Sequence, residues 1–207
     1  SAGLSNPTVY SLAKDSEGQL FAGTNGGGLY RSTDGGEKWI PTNTGLTDAF
    51  ILALLVNKSG HMFAGTGNAG LFRSTDRGST WKPINVGLEN THTHCLGINA
   101  SGHIFVAVRG GRLYRSTDNG DHWTLASQGL NNNKLYAFAT NSAGYLFVGT
   151  DKGVFRSTNN GETWTPANEG LPNLLVYHLA LDSSGNIFAG TGGGVIRSTD
   201  DAKTWKR

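Results

Sequence analysis

One nine-residue stretch recurs five times along the chain at an almost constant interval. It reads Arg-Ser-Thr-Asp-Gly-Gly-Glu-Lys-Trp at residues 31–39, and every later copy keeps Arg-Ser-Thr at its start and Trp at its end. The copies begin at Arg31, Arg73, Arg115, Arg156 and Arg197, which are 42, 42, 41 and 41 residues apart. All five tryptophans of the chain close these copies. A chain with such a period folds as a series of like units.

The length of the period predicts the kind of unit. Four short strands joined by turns need about 40 residues, which is the size of one blade of a β-propeller. In the first repeat, residues 9–13 alternate at period two, which predicts the first strand of the blade. The second strands of the five blades are predicted at 19–24, 62–66, 104–108, 146–150 and 187–191. Cutting after the Gly-Leu pairs that end at residues 4, 46, 88, 130 and 171 gives blades at 5–46, 47–88, 89–130, 131–171 and 172–207. We therefore predict one all-β domain over residues 1–207, with five four-stranded antiparallel blades.

The residue types in the repeated stretch predict a tight, self-sufficient turn. Asp34 is expected to accept hydrogen bonds from backbone N–H groups two residues ahead, and Gly36 to supply a positive φ. Trp39 is expected to bury its ring against the sheet while its indole N–H finds a polar partner. The fifth copy has Ala202 where the others have glycine. Its turn is therefore expected to be either strained in the left-handed region or remodelled.

The pattern Ser-x-Asp-x-Gly-x-x-Trp resembles the Asp-box, or BNR repeat, over the whole chain. Asp-boxes occur in bacterial sialidases, sortilin-type receptors, some glycoside hydrolases and photosystem II assembly-factor propellers. The resemblance implies a β-propeller, and it places the box at the outer turn between the third and fourth strands, away from any ligand. The residues expected to be structural on this ground are Ser32, Asp34, Gly36, Trp39, Ser74, Asp76, Gly78, Trp81, Ser116, Asp118, Gly120, Trp123, Ser157, Asn159, Gly161, Trp164, Ser198, Asp200 and Trp205.

Ligand contacts are expected on the opposite loops, between the second and third strands and at the start of each blade. The blade-start segments 47–50, 89–92 and 131–133 contribute here, and the innermost strands begin with aromatic side chains at equivalent positions. Aromatic rings beside Asn and Asp side chains are suited to binding a sugar. The candidate ligand-binding residues are Tyr10, Asn25, Asn68, His94, Arg109, Tyr136, Asp151, Tyr177 and His178.

Each of these candidates also has an ordinary structural explanation. The aromatic slot holds Leu52 in the second blade, so the rings could pack between blades. Arg109, Arg112, Asp151 and Lys152 break the repeat near the same loops, yet charges in loops are commonly solvated. Both explanations stay open at the level of sequence.

The sequence does not favour catalysis or a metal site. A sialidase needs three arginines converging on a carboxylate, whereas the five repeated arginines belong to the turn motif. A glycosidase needs two carboxylates flanking one bond, and only Glu89 and Glu169 lie near blade starts. His92, His94 and Cys95 are too few ligands for a recognisable metal site. We predict no catalytic residues, no metal and no cofactor.

Charge and hydropathy disfavour two classes of partner, nucleic acid and the membrane. The formal net charge is +2, without a run of Lys or Arg, which disfavours nucleic acid. No apolar run has the length of a membrane span. The single Cys95 excludes an internal disulfide and leaves the compartment open,; the family resemblance slightly favours an extracellular or periplasmic location.

Three functions are compatible with this sequence. The first is a non-catalytic recognition module that binds a glycan or protein on the loop face. The second is a structural scaffold, engineered or excised from a larger propeller, and the third is a remnant of a glycoside hydrolase. We expect a monomer in which the first blade packs on the fifth, with a homodimer or a larger ring as the alternative.

Overall fold

A computed structural model describes residues 2–131 and 133–206 of the chain, and all their regular structure is β. Ser1, Asn132 of the predicted start of the fourth blade, and Arg207 at the predicted end of the fifth lie outside the described residues. Within residues 2–131 and 133–206, no helix is long and apolar enough to cross a membrane.

Nineteen strands form five sheets in the described chain. The first blade consists of β1 (Val9–Lys14), β2 (Leu20–Thr24), β3 (Leu29–Ser32) and β4 (Ile40–Pro41). The second consists of β5 (Ile51–Val56), β6 (Met62–Thr66), β7 (Leu71–Ser74) and β8 (Lys82–Pro83). The third consists of β9 (Thr93–Ile98), β10 (Ile104–Val108), β11 (Arg112–Ser116) and β12 (Thr124–Leu125). The fourth consists of β13 (Leu135–Thr140), β14 (Leu146–Thr150), β15 (Gly153–Ser157) and β16 (Thr165–Pro166), and the fifth of β17 (Val176–Leu181), β18 (Ile187–Thr191) and β19 (Gly194–Ser198).

Strands that follow each other in the chain are neighbours in every sheet. The fifth sheet has three strands, and an antiparallel bridge between Arg197 and Lys206 stands in the place of its fourth. The predicted five-bladed, all-β organisation is confirmed. The second strands also lie where the repeat predicts them, except that the first begins at Leu20 rather than at residue 19.

The described chain divides into two compact units. The first runs to Leu96 and includes Asp118–Trp123, and the second comprises Gly97–Thr117 and continues from Thr124. The turn of the third blade thus belongs to the first unit, because the Trp123 indole donates a hydrogen bond to the Ile84 carbonyl oxygen at 2.7 Å.

Each unit has its own apolar core between neighbouring blades. The core of the first unit consists of Phe21, Leu29, Ile51, Met62, Ala64, Phe72 and Trp81. A corresponding core in the second unit consists of Ala139, Phe147, Val154, Ala167, Val176, Ile187, Ala189, Ile196, Ala202 and Trp205. In both cores a sheet face of one blade meets the opposite sheet face of the next, which is why β14 is buried on both faces.

The repeated turn is closed by a serine and an aspartate acting together. In the first copy, Ser32 Oγ donates to Asp34 Oδ1 at 2.8 Å and accepts the Gly36 N–H at 2.9 Å. Asp34 Oδ1 also accepts the Lys38 N–H at 3.0 Å. The aspartate therefore reaches the N–H four residues on, rather than two as expected, and the serine satisfies the N–H of the glycine.

Two consecutive residues of the turn lie in the left-handed region of backbone space. In the fifth copy these are Asp201 at φ 59° and Ala202 at φ 61°. An L side chain is disfavoured there by about 1–2 kcal/mol. Of the two alternatives for Ala202, the structure has the strained one. The same region is used at Arg77, Asn119 and Asn160, where the sequence alone indicated no constraint.

The indole N–H of each later tryptophan bonds to the preceding blade. Trp81 donates to the Thr42 carbonyl oxygen at 3.1 Å, and Trp164 donates to the Ala126 carbonyl oxygen at 2.9 Å. Trp205 bonds in the same way to Ala167 at 2.8 Å. The expected polar partner is thus a backbone carbonyl just after the fourth strand of the neighbour, which links consecutive blades.

The glycine of each Gly-Leu pair at a blade boundary lies against the next tryptophan. A Cβ atom at Gly45 or Gly129 would come within 3 Å of the carbonyl oxygen of Trp81 or Trp164, respectively. Gly3 has the same relation to Trp39, whose N–H donates to the Ala2 carbonyl oxygen at 2.9 Å. Only glycine permits this approach of two backbones.

Candidate functional site

The aromatic slot at the start of the innermost strand is a β-bulge in the first, second, fourth and fifth blades. Strand register shifts between Val9 and Ser11, and again between Leu135 and Ala137. The residues on these shifts are Tyr10, Leu52, Tyr136 and Tyr177. A bulge takes one residue out of the ladder and redirects its side chain, and bulges often occur beside functional sites. The sequence indicated the slot but not the bulge.

In the second unit, the bulges bring two tyrosines together. The ring centroids of Tyr136 and Tyr177 are 5.5 Å apart with an angle of 51° between the planes. The Tyr177 side chain is 44% exposed, whereas Tyr136 is partly buried. A tilted pair at this distance is a favourable aromatic contact, and it leaves a ring surface open to solvent.

Asp151 lies next to this pair on the loop between β14 and β15. Its Oδ1 accepts the Lys134 N–H at 2.9 Å, and its own N–H donates to the Lys134 carbonyl oxygen at 3.2 Å. Burial raises the pKa of Tyr136, and the negative charge of Asp151 and the neighbouring Tyr177 raise it further. The Tyr136 hydroxyl therefore stays protonated at neutral pH and can donate a hydrogen bond. We name Tyr136, Tyr177 and Asp151 the tyrosine–aspartate site.

Loop and blade-start segments also meet in the first unit, as predicted. The Gly26 N–H donates to the Ala49 carbonyl oxygen at 3.1 Å. The Asn68 N–H donates to Asp48 Oδ2 at 2.6 Å, and Thr91 Oγ1 donates to the Asn68 carbonyl oxygen at 2.7 Å. These bonds hold the backbone of Asn68 and leave its side chain exposed.

A shallow cleft of about 280 Å³ lies between one such loop and the next blade start. Its lining includes the three glycines 26–28, Asn43 and Asp48. Asn25 precedes these glycines, and its N–H donates to the Thr8 carbonyl oxygen at 2.9 Å while its own carbonyl oxygen accepts from Asn6 Nδ2. Asp48 is the one charged residue among the described residues that line this cleft.

None of the four candidates of the first unit, Tyr10, Asn25, Asn68 and His94, is among the residues that line this cleft. Tyr10 is 52% exposed, and the structure shows no ring partner for it among the described residues. The His94 ring contacts His92 edge-on, with centroids 5.0 Å apart. The two histidines thus pack on each other. Among the described residues, no group of three or more His, Cys, Asp or Glu side chains could hold a metal ion.

Arg109 and His178 do not take part in the tyrosine–aspartate site. Arg109 is exposed in the turn before Gly110, and His178 lies in the ladder opposite Gly190. Within the described residues of the second unit, neither makes a hydrogen bond or ring contact with the two tyrosines. Of the five candidates in this unit, the structure brings together three.

Three asparagines outside the predicted site fix the backbone of these loops by hydrogen bonds. Asn43 Oδ1 accepts the Leu29 N–H at 2.7 Å, and Asn168 Oδ1 accepts the Val154 N–H at 2.7 Å. Asn85 does the same for the Leu71 N–H at 2.8 Å. Each asparagine lies 14 residues after its partner. This constant spacing after the fourth strand was the signal available in the sequence.

Comparison with known families identifies the repeat architecture. The profile of the DUF6242 β-propeller domain matches residues 53–165 and 90–207, which together cover more than half of the chain. A two-component regulator propeller profile matches residues 3–26. No curated protein sequence matches the chain.

Several solved structures share the fold at low sequence identity. The extracellular domain of a putative one-component system from B. thetaiotaomicron superposes with a TM-score of 0.78 at 21% identity, over 92% of this chain and 27% of its own. YCF48 bound to D1 peptide gives 0.77 at 15% identity, over 100% of this chain and 69% of its own. A GH74 enzyme from Niastella koreensis gives 0.76 at 19% identity, over 97% and 37%. This chain spans about a quarter of that extracellular domain, and these likenesses concern the fold.

Proposed function

The chain belongs to the DUF6242 family of β-propeller domains, and we propose that it is a non-catalytic recognition module. Its ligand is a glycan, bound on the loop face at the tyrosine–aspartate site; a protein ligand is the second version of the same proposal. The observation that supports it is the Tyr136–Tyr177 pair, with centroids 5.5 Å apart.

The chemistry of this pair suits a sugar. An aromatic ring offers an apolar surface to the C–H face of a pyranose, and tyrosine adds a hydroxyl at its edge. The protonated Tyr136 hydroxyl can donate a hydrogen bond, whereas the Asp151 carboxylate can accept from sugar hydroxyls. A peptide would also stack on the rings, but it presents fewer hydroxyl donors to the Asp151 carboxylate than a sugar does.

A non-catalytic role agrees with the electrostatics of the carboxylates. A glycosidase needs a general acid whose pKa is raised, together with a second carboxylate across the bond. Asp34, Asp76, Asp182 and Asp200 have lowered pKa values, because hydrogen bonds within their own turns stabilise the charged form. These four carboxylates stabilise turns and are poor general acids.

We further infer that the five repeated turns are Asp-boxes. The left-handed backbone and the buried tryptophan recur in each copy. The serine bonds to the aspartate in the first, second and fifth copies, and to Asn159 in the fourth. Relatives in fold described as extracellular domains of putative one-component and hybrid two-component systems support an extracellular or periplasmic location for this chain.

The proposal is tested by screening the protein against a glycan array and measuring the affinity of each hit by isothermal titration calorimetry. Tyr136→Ala and Tyr177→Ala are expected to weaken binding by at least about tenfold, because each removes a ring surface from the pair. Asp151→Asn is expected to weaken binding less, since the amide oxygen still accepts a hydrogen bond.

Tyr10→Ala is the matched control. It removes a tyrosine from the same bulge position in the first blade, where the described structure shows no ring pair, and it should leave the affinity within about twofold of the parent. Equal loss in Tyr10→Ala and Tyr136→Ala would show that the pair is not the site. Silence across the whole array would refute glycan binding and favour the scaffold function.

A further inference from the structure

The first residue of the innermost strand is buried in every blade except the first. Its side chain is 37% exposed at Val9 and at most 1% exposed in the other four blades. The four buried equivalents are Ile51, Thr93, Leu135 and Val176. Leu12 lies on the same sheet face as Val9 and is 68% exposed, whereas its equivalents are partly buried. We name Val9 and Leu12 the leading face.

In the first unit, the preceding blade covers this position. Ile51 of the second blade lies over Gly23 of β2, where an added Cβ atom would be 2.6 Å from Ile51 Cγ2. Ile51 shares one apolar core with Phe21 and Leu29 of the first blade. The covering surface therefore consists of a glycine, a phenylalanine and an aliphatic residue from the opposite sheet face.

In the second unit, the same three positions cover the fifth blade. Val176 lies over Gly149, where an added Cβ atom would be 2.8 Å from Val176 Cγ1. Phe147 and Val154 of the fourth blade complete the core around it. The contact between consecutive blades is thus built from the same positions in both units.

The fifth blade carries this covering surface in an exposed form. Val195 is 67% exposed, whereas its equivalents Leu29, Leu71, Leu113 and Val154 are fully buried. Phe188 is partly buried, although its equivalents in the other blades are fully buried. A Cβ atom at Gly190 would meet only His178, at 3.5 Å. Large apolar side chains exposed together mark an interaction surface.

A polar contact between consecutive blades is made by the repeated arginines of the second, third and fourth blades. Arg73 Nη1 donates to the Asn119 carbonyl oxygen at 2.7 Å in the first unit, and Arg156 Nη1 donates to the Asp201 carbonyl oxygen at 3.0 Å in the second. The acceptor is the first left-handed residue of the turn in the following blade. Arg197 is the equivalent arginine of the fifth blade, and it is exposed. We name Phe188, Val195 and Arg197 the trailing face.

We propose that the leading face is a docking surface for the trailing face of a second copy of this chain. The occupant is a second copy because the internal junctions at Ile51, Thr93 and Val176 pair these same repeat positions. The fifth blade presents these positions with glycine, phenylalanine, valine and arginine in place. Arg197 of one copy then donates to the Gly35 carbonyl oxygen of the other. The contact is head to tail, so repeated contacts either close a ring of copies or form an open filament.

The proposal is tested by native mass spectrometry and sedimentation velocity on the 207-residue protein. The parent is expected to self-associate below about 100 µM, and Leu12→Asp or Val195→Asp should each raise the dissociation constant by at least about tenfold, because a charge would be buried in an apolar contact. Both side chains are exposed, so the variants should keep the circular dichroism and thermal stability of the parent.

An equimolar mixture of the two variants separates head-to-tail contact from every other arrangement. Each variant keeps one intact face, so a ¹⁵N-labelled Leu12→Asp protein should form a mixed dimer with unlabelled Val195→Asp. The matched controls are Leu125→Asp and Val86→Asp. These side chains are 59% and 62% exposed and belong to neither the leading face nor the trailing face, so both variants should associate like the parent. A monomeric parent, an unchanged Leu12→Asp dimer or a mixture without mixed dimers would each overturn the proposal.

Discussion

Replacing Gly161 by alanine should lower the free energy of unfolding by about 1.5–4 kcal/mol, several times the effect of the same change at Gly36. Both glycines hold the second left-handed position of a repeated turn, with φ of 79° and 96°. The two sites differ in their surroundings. An added Cβ atom would be 2.6 Å from Phe105 Cε1 at Gly161, whereas its nearest neighbour at Gly36 would be 3.6 Å away.

The magnitude follows from two contributions. Left-handed backbone costs an L residue about 1–2 kcal/mol, and alanine recovers about 0.4–1 kcal/mol by restricting the unfolded chain. The difference, about 0.5–1 kcal/mol, applies to both variants. Overpacking against the Phe105 ring adds about 1–3 kcal/mol at Gly161 alone. Ala202, buried at φ 61° in the fifth blade, shows that the backbone contribution by itself is compatible with folding.

The assay is urea denaturation followed by both tryptophan fluorescence and far-UV circular dichroism. Two probes are needed because a repeat protein can unfold in parts. Native-state hydrogen exchange of the amides in β2 and β14 then assigns each loss to its blade. Equal destabilisation of the two variants, within about 0.5 kcal/mol, would refute the reasoning that the neighbouring blade restricts this glycine.

Two further predictions concern charges at the repeated turn. Hydrogen bonds from the Thr80 side chain and backbone, and from Ser74, lower the pKa of Asp76 from 3.8 to about 2; its contribution to stability is therefore constant above about pH 4 and is lost as the pH falls toward 2. Urea denaturation between pH 2 and 6 should show a shallower acid slope for Asp76→Asn, and an unchanged slope would contradict this origin. Arg156→Gln should lower the free energy of unfolding by about 1 kcal/mol, since it removes the bond to the Asp201 carbonyl oxygen,. The same change at exposed Arg197 should cost less than about 0.5 kcal/mol in thermal and urea unfolding of the dilute protein, and equal losses would contradict a role for this bond.

The fold could be predicted from the sequence because its information is local and repeated. Each turn is closed by residues within seven or eight positions of one another, so five copies of one motif indicate five copies of one structure. The predicted hydrogen-bond donor to Asp34 was wrong by two residues. Ser32 accepts the nearer N–H, that of Gly36, and Asp34 accepts the Lys38 N–H instead. Residue types indicated a turn, but not how the donors are divided between two acceptors.

The site could be predicted only in part, since its contacts join different blades. The repeat placed Tyr136 and Tyr177 in one slot, yet their ring contact depends on a bulge in each strand, and the sequence carries no marker for that bulge. His178 is adjacent to Tyr177 in sequence but lies in the ladder, outside the ring pair. The bulge in β17 places Tyr177 rather than its neighbour His178 in the tyrosine–aspartate site. The position of that bulge depends on backbone geometry.

The direction of the indole hydrogen bonds has a consequence for synthesis on the ribosome. Each acceptor carbonyl lies 38 or 39 residues before its tryptophan in the chain, so translation always delivers the acceptor first. Chains fold from the N-terminal part as they emerge. Every blade after the first can therefore fasten to a neighbour that is already complete as soon as its own tryptophan has been made. This indole hydrogen bond therefore never depends on a residue that the ribosome has yet to add.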